Sequence, residues 1–164
     1  MRPTPRLWFL QEVFKMSKRY THILVPLDGS ELAELALEDA FSLAELNQAE
    51  VTLLRVIPPM DEVIIAGEHT IVLDEQREIK QEQAEVYLAS VCQRKECRNL
   101  KMQTVIEFGP VGETIIDYAR EHPIDLIVMA THGRSGLSRW FMGSVADKVV
   151  HGANQPVLLI RAHS

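Results

Sequence analysis

Residues 130–145 form a glycine-rich segment whose residue types suit the binding of phosphate. Gly133 and Gly143 let the backbone approach an anion without a Cβ in the way. A helical pattern begins at Ser144, and the unpaired amides at the start of a helix carry partial positive charge. The segment therefore predicts an anion site where these amides and glycines meet.

The local charge of this segment favours a di- or triphosphate. Between Asp125 and Asp147 there is no acidic residue, but there are two arginines, Arg134 and Arg139. The whole chain has a net charge of −6, so this is a local excess of positive charge. We expect the two arginines to support phosphate binding.

A structural role would explain the same residues without any ligand. Ser144 and Asp147 have the spacing of a capping box, and Gly143 would then serve a tight turn. Residues 140–142 are typical of packing rather than of a base-stacking platform. The segment lacks the Gly-Lys-Ser/Thr ending of a Walker loop, and it lies too late in the chain for a dinucleotide fingerprint. Both interpretations stay open on spacing alone.

The elements around this segment alternate between strand and helix. The hydrophobic patterns predict strands at residues 22–27, 51–57, 101–107, 125–130 and 156–161. They predict helices at residues 31–47, 74–98, 110–120 and 144–151, and a long loop at residues 60–73. Ser30 is the expected N-cap of the first helix, and Pro110 suits the first turn of the third.

This order predicts an α/β fold, a five-stranded parallel doubly wound sheet with helices on both faces. In such sheets ligands bind at the carboxyl ends of the strands, where the strand order reverses. The predicted strand ends include Asp28, Ile57 and Met129. We expect them to lie near the glycine-rich segment.

Composition bounds the classes of function. The chain has 164 residues, 46% hydrophobic and 24% charged, which is typical of one globular domain. Its acidic balance argues against nucleic-acid binding, and its apolar stretches fall far short of a membrane span. Residues 1–18 are predicted to be an N-terminal extension preceding a domain at 19–164. This extension could be an upstream-start artefact, a disordered arm or a segment that packs on a partner.

The two cysteines favour a reducing compartment. Cys92 and Cys97 lie five residues apart in a polar stretch, which fits neither a metal site nor a secreted disulfide scaffold. We expect two reduced thiols and a cytoplasmic protein.

Four segments resemble the universal stress protein family, in its order and at its spacing. They are HILVPLD at 22–28, DLIVMATHGRSG at 125–136, Gly-Ser-Val at 143–145 and PVLLIR at 156–161. The nucleotide-binding members carry Gly-x2-Gly-x9-Gly-Ser/Thr, and this chain has Ala130, Gly133, Gly143 and Ser144 at those positions. Ala130 replaces the first family glycine, and its Cβ favours a negative φ.

The resemblance implies an adenine nucleotide alpha hydrolase-like, Rossmann-like fold that binds ATP, with Mg²⁺ arriving on the nucleotide. It implies that Asp28 binds the ribose or the polar edge of the nucleotide, with a strand-end turn as the competing role. The residues implied around the adenine and the phosphates are Pro26, Val56, Met129, Ala130, Gly133, Gly143, Ser144 and Val145. Val56 and Met129 could equally be plain core residues. The last strand, residues 157–160, is apolar and is expected at the sheet edge, where it can pair with another chain. The resemblance also implies a homodimer that forms through this strand.

No catalytic constellation can be assigned from spacing. His132 lies beside the predicted site, but no Ser–His–Asp or Cys–His arrangement accompanies it. Asp28-Gly29-Ser30 is not the Ser-Gly-Gly-rich loop of enzymes that cleave the α–β bond of ATP. We expect a regulatory, stress-response ATP-binding module with at most slow hydrolysis. A nucleotide-free dimerisation module and a slow adenine-nucleotide hydrolase are the alternatives.

Overall fold

The computed structural model describes residues 20–59, 69–94, 97, 99–131 and 142–161, with side chains from residue 76 onward in the second helix. The predicted N-terminal extension lies outside these residues. The elements are β1 (His22–Pro26), α1 (Glu31–Asn47), β2 (Glu50–Ile57), α2 (His69–Cys92), β3 (Lys101–Phe108), α3 (Val111–Glu121), β4 (Leu126–Ala130), α4 (Ser144–Gly152) and β5 (Val157–Ile160). The predicted alternation of five strands and four helices is confirmed.

The strands form one parallel sheet in the order β3-β2-β1-β4-β5. The chain moves outward from β1 through β2 to β3, and then crosses to the other side of β1 for β4 and β5. The order therefore reverses between β1 and β4. The strand β5 lies at the sheet edge, as its apolar sequence predicted.

Each face of the sheet carries its own apolar core, which confirms the doubly wound arrangement. On one face, α1 and α2 bury residues such as Phe41 and Leu88 against Ile23 and Leu53. On the other face lie α3 and α4, and the core there is formed by Leu24, Leu54, Val56, Ile115, Ile127, Met129, Ala146 and Val149. The alternation of side chains along a strand sends neighbouring residues to opposite cores.

The start of α1 is fixed by its cap. The Ser30 hydroxyl accepts a 3.1 Å hydrogen bond from the Ala33 amide, which satisfies one of the unpaired donors of the first turn. Glu31 and Glu34 lie in that turn, where their negative charges interact favourably with the positive end of the helix dipole. The prediction for this helix is confirmed from Glu31 to Asn47.

The prediction for α2 is wrong at both ends. The helix starts at His69, inside the predicted loop at 60–73, and residues 60–68 lie outside the described part of the chain. The residues after His69 include β-branched types with weak helix propensity, so they carry little local signal, whereas extending a formed helix adds a hydrogen bond per residue. The helix ends at Cys92, before the predicted residue 98, because the Arg94 amide bonds instead to the Val91 carbonyl in a tighter turn at 3.2 Å.

The start of α3 differs from prediction by one position. Pro110 is the N-cap rather than part of the first turn, and its carbonyl accepts the Thr114 amide at 2.9 Å. Gly109 precedes it at φ +156°, where a Cβ would stand 2.6 Å from the Thr114 hydroxyl oxygen. This glycine therefore turns the chain from β3 into α3 close to the sheet's carboxyl edge. Within the described part of the chain, no helix is long and apolar enough to cross a membrane.

Candidate functional site

A pocket of about 300 Å³ opens at the carboxyl ends of β1, β2 and β4. It lies at the reversal of strand order, which is where ligands bind in open α/β sheets. Its volume is at the lower end of the range of small-molecule sites. The first turns of α1, α3 and α4 contribute Ala33, Val111 and Ser144 to its wall. Three helix N-termini therefore border one concave site, and each contributes partial positive charge.

The structure brings together every predicted site residue that it describes. The pocket is lined by Pro26, Asp28, Val56, Met129, Ala130, Gly143, Ser144 and Val145. The remaining predicted residues, Gly133, Arg134 and Arg139, lie outside the described part of the chain, as does His132. The pocket therefore joins residues as far apart in sequence as Pro26 and Val145. The roles of the eight predicted residues that line it stay predictions.

The start of α4 is built differently from the predicted capping box. Gly143, not Ser144, is the N-cap, and no side chain caps the helix there. Ser144 is the first helical residue, and the first helical hydrogen bond runs from the Asp147 amide to the Gly143 carbonyl at 2.9 Å. The amides of residues 144–146 therefore have no carbonyl acceptor inside the helix. All three of these residues line the pocket.

The backbone of Gly143 does not require glycine. Its φ of −61° and ψ of 148° are accessible to any residue, so a tight turn does not explain it. A close approach of another group to this backbone would explain it, because glycine alone presents no Cβ. The Gly143 amide is itself bonded to the Thr131 carbonyl at 2.8 Å, which fixes the start of α4 beside the end of β4.

Ala130 fits the strand that it ends. It pairs with Ile160 across β4 and β5, and among the described non-glycine residues only Gln48 has a positive φ. The negative φ expected for alanine at this position is therefore what the structure has. Ala130 also lines the pocket, where the family motif has a glycine.

Asp28 combines a turn with a place in the pocket. Its Oδ1 accepts the Ser30 amide at 2.9 Å and the Ser30 hydroxyl at 2.5 Å. Gly29 between them has φ +80°, in the region that favours glycine. The strand-end turn is therefore real, and it holds the Asp28 carboxylate at the pocket rather than competing with that position.

Val56 and Met129 likewise serve two purposes. They are 5% and 6% exposed and belong to the core between the sheet and α3. They also form an apolar wall of the pocket, together with Ile115. Small-molecule sites are typically lined mostly by apolar side chains with a few polar groups that orient the ligand.

Sequence reasoning missed several lining residues, of which Arg55 and Thr131 are polar. Arg55 and Asp28 are the only charged side chains among the described lining residues. The Arg55 guanidinium donates to the Leu27 carbonyl at 3.2 Å. The sequence did carry a signal for Arg55, because a charged residue next to the end of a buried strand is unusual. The strand alternation, however, predicts that Arg55 and Val56 face opposite sides of the sheet.

The described side chains supply no cage for a metal ion. Among them, no group of three or more histidine, cysteine, aspartate or glutamate side chains is placed to hold one.

Comparison with known proteins gives a consistent result. The sequence model of the universal stress protein family matches residues 19–161. Universal stress protein MJ0577 of Methanocaldococcus jannaschii is 30% identical over 158 residues, covering 89% of this chain and 98% of its own. The structure of universal stress protein UspA from Lactobacillus plantarum is 33% identical with a TM-score of 0.75, covering 88% of this chain and 100% of that one.

More distant structures share the fold alone. One universal stress protein in complex with cAMP is 18% identical with a TM-score of 0.58, and covers 89% of this chain and 100% of its own. The universal stress protein from Archaeoglobus fulgidus in complex with dAMP is 23% identical with a TM-score of 0.54, and covers 87% and 99%.

Proposed function

Because this chain belongs to the universal stress protein family, we propose that it binds ATP, carrying Mg²⁺, in the pocket at the carboxyl ends of β1, β2 and β4. Occupancy of the pocket would serve a regulatory or stress-response role rather than rapid turnover. Two proteins of the same fold are in complex with the adenine nucleotides cAMP and dAMP, and our choice of ligand class follows theirs.

The observation that carries the proposal is the convergence of four distant segments on one pocket. The ends of β1, β2 and β4 and the start of α4 supply an apolar wall, one carboxylate and a set of helix-start amides. These three features match the three parts of the ligand. A purine ring suits the apolar wall, a ribose diol suits a carboxylate, and phosphates suit helix-start amides.

The residues present fit the phosphate end of the nucleotide. The amides of residues 144–146 have no acceptor inside α4, and Gly143 brings its backbone to the pocket without a side chain. The Ser144 side chain is exposed, so its hydroxyl is available to donate to a phosphate oxygen. Magnesium bound with the nucleotide would neutralise part of the triphosphate charge. We also propose that Gly133, Arg134 and Arg139 complete the phosphate site.

The family resemblance further supports a homodimer, and we propose that it forms through β5. This strand lies at the sheet edge, and Leu158 on it is 36% exposed. An apolar edge strand readily pairs with another chain.

A calorimetric titration with ATP, ADP and AMP in the presence of magnesium tests the proposal. We expect Gly143→Val to weaken ATP binding by at least about tenfold, or about 1.4 kcal/mol, because its side chain would stand where the phosphates approach. The matched control is Gly152→Ala, at the far end of α4, whose Cβ would meet the end of the flexible Ile116 side chain. This variant should bind ATP like the wild type.

The outcomes separate the three candidate functions. ATP recovered intact from the purified protein supports the regulatory module. A protein that neither retains nor binds any adenine nucleotide would be an interaction module, and rapid release of ADP or AMP would indicate a hydrolase. Equal ATP affinity of the wild type and Gly143→Val would move the phosphate site away from α4.

A further inference from the structure

The guanidinium of Arg55 connects β2 to the residue that follows β1 at the wall of the pocket. Arg55 lies near the end of β2 and pairs in register with Ile106 of β3. Its neighbours Leu54 and Val56 belong to the core under α3 and α4, so the alternation of the strand sends Arg55 to the opposite face. The side chain nevertheless reaches back to the pocket, where it donates to the Leu27 carbonyl at 3.2 Å.

This contact fixes the peptide that leads into Asp28. β1 ends at Pro26, and the Leu27 amide donates to the Leu54 carbonyl at 2.8 Å. Leu27 is thus held at its amide by Leu54 and at its carbonyl by Arg55. The Leu27 carbonyl and the Asp28 amide share one rigid peptide plane, so holding the carbonyl also orients the backbone of Asp28.

The Asp28 carboxylate is held independently from the other side. The amide and hydroxyl of Ser30 both donate to its Oδ1. Arg55 controls the backbone before Asp28, and Ser30 controls the side chain after it. Because both the backbone and the side chain of Asp28 are held, its carboxylate can accept hydrogen bonds from ligand hydroxyl groups in one defined geometry. A mobile carboxylate would lose conformational entropy when it bound the same groups.

Arg55 also brings a permanent positive charge to the wall of the pocket. It is half-buried, and it is the one cation among the described lining residues of the pocket. A guanidinium presents several donors in a rigid fork, so it can hold a carbonyl at a fixed angle.

We infer that Arg55 is a positioning residue that sets Asp28 for recognition of the ribose hydroxyls, and thereby gives the site its preference for ribonucleotides over 2′-deoxyribonucleotides. This inference rests on the proposed function and adds the residue that determines sugar selectivity. Arg55 acts through Asp28 and does not contact the phosphates.

The test compares the affinities for ATP, 2′-deoxy-ATP and adenosine across variants of the full chain. We expect Arg55→Met to weaken ATP binding about tenfold and 2′-deoxy-ATP binding only about twofold, because the deoxy sugar lacks one of the hydroxyls that Asp28 reads. Adenosine, which keeps both hydroxyls, should weaken as much as ATP. Arg55→Lys, which keeps a cation and a donor, should restore part of the preference, and Arg120→Met on the exposed face of α3 should change nothing.

A double-mutant comparison isolates the route through Asp28. In an Asp28→Ala background, which removes the side chain that reads the sugar, Arg55→Met should no longer change the ratio of ATP to 2′-deoxy-ATP affinity. The inference would be overturned if Arg55→Met weakened ATP and 2′-deoxy-ATP equally and so left the ratio of their affinities unchanged. A loss of affinity for the phosphorylated ligands but not for adenosine would overturn it as well. Failure of the proposed function would be visible separately, as absence of ATP binding by the wild type.

Discussion

The Gly143 amide donates a 2.8 Å hydrogen bond to the carbonyl of Thr131. Thr131 follows the last residue of β4, and its own amide donates to the Ile160 carbonyl of β5 at 2.9 Å. The start of α4 is therefore tied to the ends of two strands. This connection aims the first amides of α4 at the pocket, and it explains how Thr131 and Gly143, which lie 12 positions apart in the glycine-rich segment, share one wall.

Asp28→Asn should weaken ATP binding about tenfold while leaving the fold intact. The asparagine Oδ1 can still accept from Ser30, so the turn into α1 survives, but the hydrogen bonds to the ribose lose their charge. Calorimetric affinities and thermal midpoints of the two proteins measure both effects. Asp39→Asn, on the exposed side of α1, is the matched control. Unchanged ATP affinity in Asp28→Asn would assign Asp28 to the turn alone.

Ala130→Gly should strengthen ATP binding about threefold and lower the free energy of unfolding by roughly 0.5–1 kcal/mol. Ala130 lines the pocket, so the substitution restores the glycine of the family motif at that point, whereas a glycine inside a strand costs conformational entropy. Calorimetry and denaturant unfolding measure the two effects. Ala153→Gly, at the far end of α4, serves as the control that should alter stability without altering affinity. A weaker ATP affinity in Ala130→Gly would show that the Cβ contributes contacts to the nucleotide.

The sequence was sufficient for the fold because its signals are local. The buried run of β4, the cap at Ser30 and the glycine turn at Gly29 each act within a few residues. The place of the pocket followed from topology, since parallel strands all end at one edge. The start of α2 at His69 was missed because it depends on extension of an existing helix through residues with weak propensity.

Two features of the site were beyond local reasoning. Ser144 and Asp147 have capping-box spacing, but Gly143 occupies the cap because its amide is bonded to Thr131. Arg55 reaches the pocket only because β1 ends at Pro26 and Leu27 offers a carbonyl nearby. Both arrangements depend on contacts between segments that are distant in sequence, which no spacing pattern encodes.

Cys92 should react slowly with iodoacetamide at pH 8. Burial raises the pKa of its thiol above the ordinary value, so a smaller fraction is present as the reactive thiolate at that pH. The rate should continue to rise at pH values where a small-molecule thiol has already reached its plateau. Mass spectrometry of a Cys97→Ala variant follows this one site. A pH profile identical to that of glutathione would contradict the effect of burial.

Cys97 should react more slowly than Cys92. It is 6% exposed, and its thiol donates to the Val91 carbonyl at 3.2 Å, so the reagent has little access to the sulfur. The Cys92→Ala variant measures this site under the same conditions. Faster labelling of Cys97 than of Cys92 would indicate that the segment after α2 opens in solution.

Leu159→Pro should convert the proposed homodimer into a monomer before it disrupts the core. The carbonyls of Pro156 and Ile160 accept from β4, so on this parallel strand the backbone groups of residues 157 and 159 point away from β4, toward the open edge. A proline at 159 therefore removes a donor from the edge that would pair with a second chain. Sedimentation velocity at micromolar concentration measures the assembly state.

Leu158→Pro is the matched control, because the same alternation turns the backbone amide of residue 158 toward β4. That variant should lose an internal hydrogen bond and unfold at a lower denaturant concentration, whereas Leu159→Pro should keep its circular dichroism spectrum. A wild type that sediments as a monomer would overturn the dimer proposal directly. A Leu159→Pro variant that stays dimeric would instead place the interface elsewhere, since a strand pairing through β5 needs the outward amide of residue 159.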